Sequence, residues 1–260
     1  MVFPAHSKLP FSYDLTVIIP TFNEEINIAP MIQAIETVCR QAHIHEEIVV
    51  VDDSSADRTV DVVKDIQNSM DNLSLIVRTR NPGLSPSLYE GIQNAKAPLV
   101  QCIDCDFSHP PEKIPVFYQH LHNQGYDMVI GSRYIDGGEV RNWSFYRELL
   151  SFGAALLGRV LIPNVKDSGS GFFAVNTRIL DGVTLTPRGF RMGFEILGKS
   201  NWTRVKEISI VFKDRESGES KLRWRIVLQY LIQWVSILEY NLIKKECNSI
   251  ARAWKHFLRN

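Results

Sequence analysis

Val100-Gln101-Cys102-Ile103-Asp104-Cys105-Asp106-Phe107-Ser108-His109-Pro110-Pro111-Glu112 is the stretch on which the reading of this chain turns. An apolar run ends in two carboxylates spaced i, i+2, and a polar turn with a Pro-Pro helix start follows. Residues i and i+2 project to the same side of an extended chain. Asp104 and Asp106 therefore face one point just beyond the C-terminal end of a strand. Two carboxylates, completed by phosphate oxygens from a substrate, are a common way to hold Mg²⁺ or Mn²⁺. Acidic pairs are also frequent in surface loops, so the surroundings have to decide.

Working outward, the same arrangement recurs. Leu15 to Ile19 is a short apolar run ending at Pro20, and Asn23 is placed to cap a helix carrying Glu24 and Glu25 in its first turn. Ile48 to Val51 ends in Asp52-Asp53-Ser54-Ser55, with a helix expected from about Asp57 to Ser69. Leu73 to Val77, Leu99 to Ile103 and Met128 to Ile130 read as three more strands, separated by the helical stretches Gly83 to Ala95 and Pro110 to His122. Regular strand–helix alternation calls for an α/β fold with a mostly parallel central sheet flanked by helices. Ligands bind beyond the C-terminal strand ends of such sheets. The polar clusters fall there: Pro20 to Glu24, Asp52-Asp53, Asp104 to Ser108, and Gly131-Ser132-Arg133. No G-x-G-x-x-G follows the first strand and no P-loop lysine is present, so dinucleotide-binding and P-loop readings fall away.

Beyond Arg133 the pattern changes. Trp143 to Leu161 reads as an amphipathic helix, Phe172 to Val175 as an apolar run after the loop Asp167 to Gly171, and Gly189 to Lys199 as loop and helix. Val205 to Phe212 reads as one strand, Asp214 to Lys221 as a mobile polar loop, and residues 223–258 as two helices. Three segments result: an N-terminal extension 1–13, a catalytic domain 14–222, and C-terminal amphipathic, basic helices 223–260.

The 260 residues, 45% hydrophobic and 22% charged, have the composition of an ordinary globular protein. A net charge of zero argues against a general nucleic-acid binder. It hides an asymmetry: from Lys199 onward the chain carries 13 Lys+Arg against 6 Asp+Glu, so the body is acidic and the tail basic. The four cysteines show no zinc-like spacing; Cys102 and Cys105 form a C-x-x-C across a strand end with no second pair, which reads as reduced thiols in a cytoplasmic protein. The N-terminus has neither the basic start nor the apolar run of a signal peptide.

Together these motifs resemble family 2 glycosyltransferases of GT-A fold. Val17 to Glu24, Val51-Asp52-Asp53-Ser54 and Asp104-Cys105-Asp106 carry the broad likeness. More narrowly, Asp104 to Glu112, Gly131-Ser132-Arg133-Tyr134, Arg147 with Ser151, Ser170 to Phe173, and Phe212, Arg215, Gly218 and Ser220-Lys221-Leu222 resemble the dolichyl- or polyprenyl-phosphate mannose synthases. Cys105 stands where that family usually has Ala, and Gly83-Leu84-Ser85 where Gly-Leu-Gly is usual. The resemblance implies that Pro20, Phe22, Glu24 and Asp52 bind the guanine-ribose end of GDP-mannose. It implies that Asp104 and Asp106 hold the metal on the donor diphosphate with Ser108 nearby, and that Arg133, Arg147 and Ser151 grip the acceptor phosphate. Arg215 and Lys221 would close over the diphosphates.

A phosphate monoester, with a second pKa near 6, attacks without help from a general base; His109 reads equally as a turn or packing residue. A hydroxyl acceptor would need a base, and Glu195 is the available carboxylate. UDP-glucose is the alternative donor that the sequence leaves open. A polyprenyl acceptor requires a membrane, where many relatives use appended transmembrane helices. Residues 224–243 come closest to one, but Arg225, Gln229, Gln233, Ser236 and Glu239 form a polar stripe along them. Peripheral attachment at the cytoplasmic face of a membrane, or packing on a small membrane-protein partner, is the expectation.

Overall fold

The computed structural model describes residues 11–141, 143–187, 191–213 and 224–257, with side chains for 227–244 of the last segment. Five buried parallel strands set the frame: β1 (Leu15–Thr21), β2 (Glu46–Asp52), β3 (Leu73–Val77), β4 (Leu99–Cys102) and β5 (Met128–Ser132). Helices α1 (Ile28–Gln41), α2 (Thr59–Gln67), α3 (Leu84–Asn94) and α4 (Ile114–His122) connect them, α4 entered through a 3₁₀ turn at Pro111–Lys113. Then come β6 (Glu139–Arg141), α5 (Phe145–Leu161), β7 (Phe173–Asn176), α6 (Met192–Lys199), β8 (Val205–Ser209), β9 (Val211–Lys213) and α7 (Trp224–Phe257).

The main sheet has the order β3-β2-β1-β4-β7-β5-β8. All its pairings are parallel except those of β7, which runs antiparallel between β4 and β5. Near-continuous apolar runs in β1 and β2 match burial on both sheet faces, where two cores form. The register puts Thr21 beside Asp52 and Asp52 beside Val77, so the outgoing ends of β1, β2 and β3 share one edge. Because β7 runs the other way, its start reaches that same edge: Phe173 pairs with Cys102 and Ile130. The loop from Asp167 to Gly171 is thereby delivered beside the Asp-x-Asp turn. Four residues with left-handed backbone, Asn23, Ser54, Asn81 and Phe107, lie in the loops leaving β1 to β4. Non-glycine residues rarely adopt this conformation, and it concentrates at functional edges.

Several local expectations change. Asn23 does not cap α1, which starts at Ile28; its Oδ1 instead accepts from the Ala56 N–H at 2.8 Å, tying the β1 and β2 loops together. The stretch expected as one strand from Val205 to Phe212 breaks at Ile210, and β9 pairs with β6 in a separate two-stranded ribbon. The two C-terminal helices are one 34-residue helix, with no Gly or Pro between Trp224 and Phe257 to end it. A boundary at residue 222 also divides a continuous core, because Tyr230 and Ile237 of α7 are buried among residues of the sheet domain.

The packing of α5 and α7 runs against ordinary amphipathicity. On α5 the buried positions are Ala155 and Gly158, while Phe145 (81% exposed), Leu149, Phe152, Leu156 and Val160 face outward. On α7, Gln233 of the anticipated polar stripe is buried and donates to the Arg191 carbonyl at 3.2 Å. Leu228, Leu231, Ile232, Val235, Leu242 and Ile243 are exposed. The two helices are pinned by the Tyr230 hydroxyl donating to the Ala154 carbonyl (2.7 Å) and the Trp234 indole donating to the Leu157 carbonyl (3.0 Å). No helix among the described residues is long and apolar enough to cross a membrane.

Candidate active site

At the β2 end, adjacent aspartates point opposite ways, as successive residues of a strand must. Asp52 is buried; its carboxylate accepts from the Thr21 hydroxyl (2.8 Å) and from the Ser55 N–H (2.8 Å) and hydroxyl (2.5 Å). It shapes the loop instead of offering an edge to base or ribose, and the expectation of direct nucleoside contact moves away from it. Asp53 accepts from the Gly83 N–H at 2.6 Å and pairs with Arg78, whose guanidinium also contacts Glu90 (2.8 Å). Arg78 is nearly buried and orders the β3–α3 loop through the Asn81 carbonyl (2.9 Å); sequence reading passed over it, although a basic residue directly after an apolar strand was the signal. At the β1 end, Pro20 is half-buried, Phe22 presents an exposed ring, and Glu24 accepts from the Asn27 amide at 2.8 Å.

In the Asp-x-Asp turn both carboxylates remain partly exposed. Asp106 Oδ1 accepts from the Ser108 N–H (3.1 Å), while the buried Ser108 Oγ has no hydrogen-bond partner. Two carboxylates and an orphaned hydroxyl on one turn are hard oxygen donors, suited to a divalent cation whose remaining positions come from phosphate and water. Among the described residues no group of three or more His, Cys, Asp or Glu could hold a metal ion.

His109 is buried, stacked on Phe172 with centroids 5.0 Å apart. Its Nδ1 accepts from the Asp104 N–H at 3.1 Å, which places any proton of the neutral ring on Nε2. Burial pushes the His109 pKa below its ordinary value, outweighing the pull of Asp104 and Asp106. The ring and the Asp104 carboxylate, 3.6 Å apart, are neighbours rather than an ion pair.

Beside this turn opens a cavity of about 460 Å³. Its lining joins polar side chains, among them Asp104, His109, Arg133, Arg147, Ser151 and Arg191, with apolar side chains of α5 and α7 such as Leu149, Leu157, Val227 and Leu231. Arg133 forks onto Asp167 through Nε and Nη2, both at 2.8 Å. Burial opposes its charge, but the attraction and hydrogen bonds of Asp167 outweigh that and raise its pKa. Trp143 joins two of the arginines, its ring centroid 5.4 Å from the Arg133 guanidinium carbon and 4.2 Å from that of Arg147. Ser151 accepts from the Tyr134 hydroxyl at 2.9 Å. Arg133 at the end of β5, and Arg147 and Ser151 one turn apart on α5, thus line one cavity with Asp104. Arg191 and Trp143 belong there too, and sequence reading assigned neither a role. Arg215 and Lys221 lie outside the described residues.

Glu195 does not line the cavity. It is buried, with Oε1 accepting from the Lys199 ammonium and the Thr186 N–H, each at 2.6 Å. That pairing removes the geometric basis for Glu195 as a general base toward a hydroxyl acceptor.

An open, mostly parallel sheet with an Asp-x-Asp turn at its ligand edge and an arginine-lined cavity beside it defines a glycosyltransferase of GT-A type. The chain belongs to glycosyl transferase family 2, whose pattern it matches over residues 16–184. It is 40% identical over 220 residues to the dolichol-phosphate mannosyltransferase of Pyrococcus furiosus, a match covering 84% of this chain and 61% of that protein. The chain therefore spans about three fifths of that relative's length. It is 32% identical over 232 residues to the dolichol-phosphate mannosyltransferase of Saccharomyces cerevisiae, covering 85% of this chain and 86% of that one. Among solved structures, glucosyl-3-phosphoglycerate synthase from Mycobacterium tuberculosis, in complex with Mn²⁺, UDP and phosphoglyceric acid, superposes with a TM-score of 0.64 at 17% identity. That match covers 87% of this chain and 78% of the other, and it bears on the fold alone.

Proposed function

We propose that this glycosyltransferase moves mannose from GDP-mannose to the phosphate of a dolichyl or other polyprenyl lipid, leaving a β-linked lipid-phosphate mannose. The observation that carries this reading is the mixed lining of the cavity, which sets guanidinium groups beside apolar side chains of α5 and α7. Such a lining suits an amphipathic acceptor with an anionic head. The names of the relatives at 40% and 32% identity point the same way.

The acceptor phosphate is its own nucleophile. One of its oxygens attacks the anomeric carbon opposite the donor diphosphate; the new C–O bond forms as the bond to GDP breaks, and GDP leaves with the electron pair, inverting the centre. No side chain has to remove a proton, in keeping with a buried His109 whose Nδ1 already accepts from the Asp104 N–H and a Glu195 buried against Lys199. Catalysis is then positioning and charge neutralisation. Asp104 and Asp106, with Ser108, would hold Mg²⁺ or Mn²⁺, which when bound neutralises charge on the departing diphosphate. Arg133, Arg147 and Ser151 would hold the acceptor phosphate against the repulsion of the donor. Pro20, Phe22 and Glu24 would contact the nucleoside, with Asp52 holding their loop from beneath.

The outward apolar rows of α5 and α7 flank this cavity and support a peripheral seat on a membrane surface, at the cytoplasmic face where nucleotide sugars are available. The decisive experiment incubates the chain with a panel of nucleotide sugars, a short polyprenyl phosphate and Mg²⁺ or Mn²⁺, and weighs the lipid product. A mass gain of one hexose from GDP-mannose is expected. Product from UDP-glucose alone overturns the donor; consumption of a sugar acceptor with no lipid product overturns the acceptor.

A further inference from the structure

Arg191 sits in the wall of the cavity. Among the described residues it makes no ion pair and one side-chain hydrogen bond, from Nη1 to the Gly169 carbonyl at 3.1 Å, and its guanidinium lies over the Tyr230 ring, 4.8 Å from the centroid. Burial, and then the nearby Arg133, push its pKa below the ordinary arginine value. Asp167 attracts Arg191 from nearby, but that carboxylate already accepts the fork and the backbone N–H of Arg133. Arg191 is half-buried, and its remaining N–H donors open into the cavity, where an anionic ligand can take them. The fold makes room for Arg191: a Cβ on Gly169 would stand 1.6 Å from Nη1 and 2.9 Å from Cζ, so only glycine leaves the slot open.

A second unused donor lines the same cavity. The indole Nε1 of Trp143 is buried and has no hydrogen-bond partner. Trp143 arrives from the start of α5 and Arg191 from the start of α6, so the two are independent of each other in the chain.

We propose that Arg191 and the indole N–H of Trp143 complete the acceptor-anion site, donating to phosphate oxygens that Arg133 and Arg147 alone leave unpaired. The inference rests on the reading of the acceptor as a lipid phosphate. On this assignment Arg191 is a binding residue, and Gly169 is a positioning residue that seats it.

The test measures binding of a short polyprenyl phosphate, the corresponding polyprenol, and inorganic phosphate by calorimetry in detergent, with thermal melting of each variant. Arg191→Met and Gly169→Ala are each expected to weaken polyprenyl phosphate binding by at least roughly tenfold, the scale of a lost hydrogen bond to a charged group. Trp143→Phe, which keeps the aromatic face and removes the N–H, is expected to weaken it roughly fivefold. Polyprenol binding should not change in any of them. The melting temperature of Arg191→Met should hold, because the half-buried side chain keeps its packing length and gives up one hydrogen bond to a carbonyl; a purely structural arginine would lower it. Arg191→Met and Trp143→Phe proteins that bind the lipid phosphate within twofold of wild type overturn this inference alone. A wild-type chain that binds polyprenol and polyprenyl phosphate equally, or neither, overturns the lipid-phosphate reading and this inference with it.

Discussion

Asp167 holds Arg133 by three hydrogen bonds: two from the guanidinium at 2.8 Å and one from the backbone N–H at 3.0 Å. Both side chains are nearly sealed from solvent. The pair fastens the end of β5 to the loop entering β7, so Arg133 reaches the cavity in one fixed orientation. Pre-set donors do not have to be ordered when the substrate arrives, which is where charged sites gain most of their effect.

Asp167→Asn tests that fixation. The substitution keeps the shape but leaves a buried guanidinium without its charge partner, a loss of about 3 kcal/mol by the measure of broken buried pairs. Urea denaturation should show it as a lower midpoint. In the residual folded protein the acceptor KM should rise while the nucleotide-sugar KM holds. An unchanged midpoint would mean that the pair does not contribute as the geometry implies.

The strands were legible because buried parallel strands are apolar along their whole length and end abruptly in polar loops, as at Pro20, Asp52 and Asp104. What the sequence concealed has physical causes. Asp52 and Asp53 are equivalent as letters; only the strand's alternation sends one inward to Thr21 and the other toward Arg78. Asn23 resembles a helix cap because the same short amide serves left-handed loop residues. The turn at Ile210 is invisible in an apolar run. The role of Arg191 depends on the backbone of Gly169, which is 22 residues away.

Ser108→Ala should separate metal binding from folding. The hydroxyl is buried and unpartnered, so removing it costs no internal hydrogen bond and the melting temperature should hold. If Ser108 supports a cation on the Asp-x-Asp turn, half-maximal turnover should need roughly tenfold more Mg²⁺ or Mn²⁺. Identical metal titrations for variant and wild type would remove Ser108 from the site.

Asp127 sets an acid limit on stability. Its burial alone would raise the pKa, but the Arg178 guanidinium, the Thr203 and Arg204 N–H groups and the Thr203 hydroxyl together lower it from 3.8 to about 2. A depressed carboxylate stabilises the fold above its unfolded pKa, and that contribution disappears as pH falls through the folded one. The window is therefore about pH 4 down to about 2, worth on the order of 2 kcal/mol at neutral pH. Asp127→Asn should flatten the acid limb of a stability–pH curve in that window. A variant curve parallel to that of the wild type would show that other carboxylates govern acid unfolding.

The apolar rows on α5 and α7 make the most consequential prediction, since on the proposed function they join the cavity to the membrane that would hold a lipid acceptor. Phe145, Leu156 and Ile232 are 81%, 55% and 55% exposed, so replacing all three with serine removes little from the folded core. Surface changes of this kind usually move stability by no more than about 0.5 kcal/mol each. If these side chains enter a bilayer, each forfeits roughly 1 to 2 kcal/mol of apolar burial on substitution, and partitioning onto vesicles should fall by well over tenfold. The loss should persist at high salt, because apolar burial is not screened, whereas attachment through the basic end of the chain would weaken as salt rises. Turnover on a short, detergent-dispersed polyprenyl phosphate should survive, while turnover on long-chain lipid in vesicles should drop with the binding. Undiminished vesicle flotation by the triple variant would assign the apolar rows to a protein partner instead of the membrane.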